Sequence, residues 1–256
     1  MPPTDCSGAR RGIPFLTVQR VRHALPVLLL AGVLGRPLAA DALHAQAAPD
    51  RLDVGSFTIR QEGARVGREQ FSLRRVGSAE GVEFELRAEA AIGDRRIATR
   101  LETDSAGTPM RYTAEVRDGA TLVLRLGGQR TRGRFATLAR TDRGEAAREY
   151  LLPAGAVVLE VESFHLAALL LRGREGRTDF VLRALAPMEN RERDVRVTLD
   201  AADDTVVVAG VRLPAARWVI DDSGDRRVLW TDAAGRVLRV TVPARGLDAV
   251  RDDVPR

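Results

Sequence analysis

Few side chains in this 256-residue chain are of the kinds that do chemistry. The histidines are His23, His44 and His165, and Cys6 is the single cysteine. A histidine works as a base or a metal ligand only with partners. Ser163 is two residues from His165, and residues two apart on a helix do not face each other. No G-x-S-x-G elbow occurs. Beyond residue 47 no second histidine or cysteine remains to build a zinc site. His165 therefore reads as a packed histidine whose nitrogens find a carbonyl or water. The acid pairs Asp203-Asp204, Asp221-Asp222 and Asp252-Asp253 read as turn or tail residues. Adjacent acids on a strand point to opposite faces and make no carboxylate dyad. The most basic stretch, Gly127 to Arg134, lacks the Lys-Ser/Thr of a phosphate loop and opens onto no helix, so it reads as an exposed hairpin tip. Trp218 and Trp230 read as core, with each indole N–H satisfied nearby. No catalytic residue, metal or cofactor is assigned.

The elements that must position these residues begin after a leader. Arg10, Arg11, Arg20, Arg22 and His23 precede the apolar run Ala24–Leu34, and Ala45-Gln46-Ala47 has the small-x-small cleavage pattern. This is the layout of a secretory signal peptide; the run is about 11 residues, short of the roughly 20 that a membrane span needs. The expectation is a signal peptide over 1–47, one β-rich domain over 48–256, and a periplasmic or secreted product without a transmembrane segment. Cys6 falls in the leader, which leaves no thiol and no disulfide in the domain. The formal charge of +5 also shrinks. The leader holds five arginines and two acids, so 35 arginines face 33 acids beyond it, a balance of +2. Near-neutral, interspersed charge argues against nucleic acid as a partner.

From Asp53 onward the pattern has period two. Val82, Phe84, Leu86, Ala88, Ala90 and Ile92 alternate with polar residues, as do Met110, Tyr112, Ala114 and Val116. Such alternation marks antiparallel strands with one packed face and one wet face. Gly93-Asp94 and Asp118-Gly119 are hairpin signals, and Asp232 to Gly235 has type I turn chemistry. Twelve to fourteen strands follow from this reading. One stretch differs: Ser163 to Arg172 predicts a short apolar helix. Ser163 is its N-cap, Glu160 and Glu162 lie at its positive end, and Arg172 and Gly173 lie at its stop. A helix with almost no polar face is buried. The predicted fold is mainly β, a large curved antiparallel sheet (half-barrel or open barrel) wrapped around this helix. A two-sheet sandwich is the alternative. A transmembrane barrel fits poorly, since aromatic girdles are missing and charges occupy the outer face.

The leader, the long antiparallel run, the inserted apolar helix and the terminal hairpin Trp230–Leu238 together resemble uncharacterised bacterial periplasmic proteins. Their sheet is similar to the curved half-barrel of Lol-type lipoprotein carriers. The opening Gly55-Ser56-Phe57-Thr58-Ile59 with Val66-Gly67-Arg68-Glu69 is also similar to those families. The resemblance spans about residues 53–250 and implies the half-barrel fold; it brings no catalytic residues. The chain lacks the anchoring cysteine that some Lol-type lipoproteins carry.

The leading functional expectation is a non-enzymatic envelope protein that binds or shields a hydrophobic ligand, a lipid or acyl chain. The expected lining is Phe84, Leu86, Tyr112, Val116, Phe180 and Leu182 of the sheet, with Phe164, His165 and Leu169 of the helix. The first alternative is a structural or assembly protein of the envelope that acts through protein partners. The second, ranked last, is an envelope hydrolase.

Overall fold

A computed structural model describes residues 50–222 and 225–256; the expected leader lies outside the described residues. The described residues form one compact unit. Among the described residues fifteen strands, against the twelve to fourteen expected, make a single sheet. The first eight are β1 (Asp50–Gln61), β2 (Ala64–Arg75), β3 (Phe84–Ile92), β4 (Arg95–Thr103), β5 (Pro109–Asp118), β6 (Thr121–Thr131), β7 (Arg134–Thr141) and β8 (Gly144–Leu151). The rest are β9 (Val157–Val158), β10 (Asp179–Ala186), β11 (Arg191–Val208), β12 (Val211–Asp221), β13 (Arg227–Thr231), β14 (Val237–Val242) and β15 (Leu247–Arg251).

The order across the sheet is β8 to β1 in reverse sequence, then β15 down to β9. Chain-adjacent strands therefore pair as hairpins, and the two ends of the domain meet in the middle, where β1 pairs antiparallel with β15. The expected mainly-β curved sheet is what forms. The alternation was legible where a hairpin turn carries its own signal; the β11–β12 turn at Ala209-Gly210 was not foreseen. Gly93 and Gly119 take positive φ of 56° and 57°, as tight hairpins demand. Gly235 N–H donates to Asp232 O at 2.9 Å, the predicted type I closure. Two further features were not legible. The two-residue β9 runs parallel to β10. Asp203 and Asp204, expected in a turn, lie inside the long β11 at a register irregularity.

The outer strand β8 is not laddered to β9. Side chains bridge the curled sheet instead. Arg148 Nη1 donates to Asn190 O at 2.7 Å and to Asn190 Oδ1 at 2.9 Å, and Tyr150 OH reaches Asn190 Oδ1 at 3.3 Å. Asn190 closes the short 3-10 turn Pro187–Glu189 in the left-handed conformation that asparagine tolerates.

The predicted helix is shorter and tighter than expected: a 3-10 helix over Phe164–Leu169, all six residues buried. Ser163 makes no side-chain cap bond. Its role is taken by Glu69 of β2, which is fully buried. Glu69 Oε2 accepts from Phe164 N–H and Oε1 from His165 N–H, each at 2.9 Å, and the carboxylate also bonds His165 Nδ1. Glu160 bonds Met188 N–H and Glu162 pairs with Arg95, so neither stands over the helix start as expected. Arg172 lies over the Phe84 ring, 4.9 Å from its centroid. Gly173 does take the expected left-handed stop, with φ 69°.

The helix supplies side chains to two core clusters. Phe164, Ala167, Ala168 and Leu170 pack with Phe57, Phe71 and the strands from β10 to β15. Leu166 and Leu169 pack with Leu86, Leu101, Tyr112, Leu126 and Phe135 of the β2–β8 half. Replacing Glu69 with Gln leaves at least one buried N–H facing an amide NH₂, and such a loss costs about 2–4 kcal/mol. We expect E69Q to lower the urea-unfolding free energy by that amount with an unchanged denaturant slope. A loss below about 0.5 kcal/mol, within the range of ordinary surface changes, would show that the clasp is dispensable.

Candidate ligand-binding site

The nine residues expected to line a hydrophobic pocket are all buried. Phe84, Leu86, Tyr112 and Leu169 pack together in one core cluster. Phe164, Phe180 and Leu182 pack in the other. Val116 packs with Ala90 and Ile97. His165 is held between Glu69 and Thr99, whose Oγ1 is 3.2 Å from His165 Nε2. Nδ1 faces the Glu69 carboxylate and Nε2 faces the Thr99 hydroxyl, so both ring nitrogens have a hydrogen-bond partner. This matches the packed-histidine reading, with side-chain partners rather than a carbonyl or water. None of the nine lines the trough described next or the two smaller cavities. The helix and its flanking segment fill the space where the hydrophobic ligand was expected.

The larger opening is on the other face of the same strands. A trough of about 1240 Å³ crosses β1 to β7. Strand registers define two rows of side chains across it. One row runs Val54, Ser72, Arg87, Arg100, Thr113, Gly127 and Leu138. The second runs Ser56, Gln70, Glu89, Ala98, Glu115, Arg125 and Arg140. Seven strands span roughly 29 Å at the ~4.8 Å strand spacing. The two glycines of β6 separate the faces. A Cβ on Gly128 would lie 2.6 Å from Phe135 Cε1, whereas a Cβ on Gly127 would meet nothing within 4 Å. Small residues, Ser72, Thr113 and Gly127 in the first row and Ala98 in the second, leave the floor low beside the arginines.

Guanidiniums and carboxylates wall the trough. Arg87 and Arg100 are direct cross-strand partners, an arrangement that repels unless neutralised. Glu85 bridges them: Arg87 Nε donates at 2.8 Å and Arg100 Nη2 lies 2.7 Å away. Burial raises the Glu85 pKa, but these two arginines outweigh burial and hold it below its usual range. At the β1 end, Asp252 accepts from Ser56 Oγ at 2.7 Å, Thr58 Oγ1 at 2.6 Å and Arg68 Nε at 3.0 Å. Burial pushes Asp252 up; the two hydroxyls and Arg68 outweigh it and hold the carboxyl low. Asp253 also lines the trough but accepts from Arg251 Nη2 at 3.3 Å, while Asp252 is held by Ser56, Thr58 and Arg68, so the two neighbouring acids are engaged by different partners. Arg125 and Arg140 pair with Glu115 and Glu145 and keep half-exposed side chains.

Trp218 Nε1 reaches Thr231 Oγ1 at 3.3 Å, and Trp230 Nε1 reaches Asp204 Oδ2 at 3.0 Å. Both indoles are satisfied as expected, but neither ring is fully core: each is only partly buried, and Trp218 lines one of the smaller cavities. Of the stretch Gly127 to Arg134 expected to be a hairpin tip, only Arg132 and Gly133 form the tip, with positive φ; Gly127 to Thr131 belong to β6, laddered to β7, and Arg134 opens β7. Among the described residues no group of three His, Cys, Asp or Glu side chains is placed to hold a metal ion, and no helix is long and apolar enough to cross a membrane.

No protein-family model matches the chain, and no curated protein matches it. Among solved structures it is similar to the crystal structure of a beta-barrel-like protein of domain of unknown function DUF1849 from Brucella abortus. The identity is 14%, the match covers 80% of this chain and 95% of that one, and the TM-score is 0.52. The shared property is the β-barrel-like fold.

One buried acid stands apart. Burial drives the Glu160 carboxyl from its ordinary 4.5 up to about 8, against its bond from Met188 N–H; Glu189 adds to the rise, while Arg193 and Arg227 oppose it. For an acid raised in the folded state, stability falls as pH rises from the unfolded value to the folded one. Glu160 therefore costs stability progressively between pH 4.5 and about 8. We expect Glu160→Gln to gain on the parent over that window, by at most about 1.4 kcal/mol per pH unit. Urea unfolding at stepped pH checks this; parallel profiles for the two proteins would refute it.

Proposed function

We propose that the protein is a non-enzymatic binding protein of the cell envelope that holds an amphiphile, a lipid or acyl chain with a polar head, in the trough of β1 to β7. The observation that carries this reading is the pair of register-aligned rows. Val54 at one end and Gly127 with Leu138 at the other, with Ala98 between in the second row, give low apolar patches. Arg68, Arg87, Arg100, Arg125 and Arg140 stand along them, each paired with a carboxylate of the protein, and a head group would share or displace those pairings. Val54 and Leu138 are 42% and 36% exposed, which leaves apolar area for a chain to cover. Each methylene covered contributes about 0.8 kcal/mol. Arginine supplies fixed N–H forks suited to carboxylate and phosphate oxygens. The leader supports an envelope location. The structural-assembly reading draws less support, because the open edge strand β8 carries Glu145, Arg148 and Glu149, charges that discourage strand addition.

A dansyl fatty acid, followed by fluorescence on protein stripped by organic extraction, tests the reading. We expect saturable binding. Gly127→Phe, which fills open space on the floor, should weaken it at least tenfold with little change in unfolding midpoint. Equal affinity in the parent and in G127F would rule the trough out as the site.

A further inference from the structure

A second site is built at the end of the sheet where Arg193 lies among the first residues of β11, Asp222 follows β12 and Arg227 opens β13. Arg193 and Arg227 are buried, with 9% and 3% exposure. Arg193 Nε donates to Asp222 Oδ2 at 2.8 Å, and Arg227 Nη1 donates to the Glu160 carbonyl at 2.8 Å. The remaining polar nitrogens, Arg193 Nη1 and Nη2 and Arg227 Nε and Nη2, are buried and have no partner among the described residues. Two guanidiniums thus leave four buried nitrogens unsatisfied. Unpaired buried donors on a cation are among the costliest defects a fold can carry.

The neighbouring acids do not supply the missing charge. Asp225 is engaged by Arg245 through Nε and Nη2, and Glu189 by Arg191. Glu192 alternates to the other face of β11 from Arg193. Glu160 bonds Met188 N–H through Oε1, while its Oε2 stays unpaired, and its raised pKa leaves the carboxyl mostly protonated at neutral pH. Arg193 also depresses the ionisation of Arg227, second only to burial, so the two cations feel each other. Asp222 is the one carboxylate bonded to either guanidinium; Asp225 and Glu189 act on Arg227 only through space and are each held by another arginine. Water could accept from the orphan nitrogens, but an anion would also offset charge.

We propose that Arg193 and Arg227 hold a small oxyanion, phosphate-, sulfate- or carboxylate-like, on their four unpaired nitrogens. Guanidinium forks match oxyanions bidentately. The burial of both side chains favours a free ion over a head group that must stay in a bilayer. None of these residues lines the trough, so the site stands or falls independently of the amphiphile reading.

The test is thermal unfolding of the protein in inorganic phosphate, sulfate and acetate, each against sodium chloride of equal ionic strength. A bound ion raises the midpoint with concentration. The expected result is a saturable rise with at least one oxyanion, lost in Arg227→Gln and weakened at least tenfold in apparent affinity in Arg193→Lys, which keeps the charge but not the fork. No rise beyond chloride, or an undiminished rise in R227Q, overturns the proposal. Should R227Q fail to fold, hydrogen exchange on the parent decides. The oxyanion is expected to slow exchange at Met188 to Asp194 and Arg227 to Leu229; unchanged exchange there overturns the proposal. Vesicles of phosphatidylglycerol that protect these amides where free phosphate does not overturn the free-ion assignment.

Discussion

A fully buried carboxylate in the middle of β2 makes the architecture workable. A sheet of fifteen strands with one apolar face must curl, and curling leaves a hollow that something must fill. The segment that fills it, Phe164–Leu169, brings backbone amides into the core as well as side chains. Buried amides without acceptors cost about 1–3 kcal/mol each. Glu69 answers the first two and orients His165, whose other nitrogen is met by Thr99. The segment can then divide its side chains between the two halves of the core. Without that clasp, burial of Leu166 and Phe164 would pull against unsatisfied main chain.

The same strands serve two faces. Glu69 and Phe71 point into the core; Arg68, Gln70 and Ser72 lie along the trough. The junction of the chain ends follows the same division. On the core side Arg251, 1% exposed in its side chain, binds both oxygens of Asp53 at 3.0 and 2.8 Å and lies 5.4 Å over the Phe71 ring. Gly55 is small because Arg251 occupies its Cβ position, within 2.7 Å. On the trough side the next residue, Asp252, gathers Ser56, Thr58 and Arg68. The join between β1 and β15 in the middle of the sheet and one end of the trough are thus set by two consecutive residues of the chain.

Much of the fold was legible because alternation and turn chemistry are local. Val82 to Ile92 declares its period, and Asp118-Gly119 declares its hairpin. The helix was misjudged because capping was read from neighbours in sequence, Ser163 and Glu162, while the acceptor came from β2. A signal for it was present: Glu69 occupies the inward register between Gly67 and Phe71, where an acid has no business without a buried partner. Thr99, between Ile97 and Leu101, carries a milder version of the same signal. The trough had no comparable trace. Ser72, Ala98, Thr113 and Gly127 are ordinary small residues until the registers of six strand pairs align them. The expected lining residues were correctly seen as apolar and inward, and that is why they became core. The neighbouring fold from Brucella abortus agrees with the barrel-like architecture and is silent on the trough.

The central claim is that the apolar face is solid and the opposite face is the binding face. Photolabelling tests it most directly. A fatty acid with a photoreactive group on its chain would be bound, irradiated, and its adducts mapped by peptide mass spectrometry. The account predicts adducts on the strand peptides that carry Val54, Ala98, Gly127 and Leu138. Adducts concentrated on Phe164–Leu169, Phe180 or Leu182 would contradict it and return the ligand to the interior.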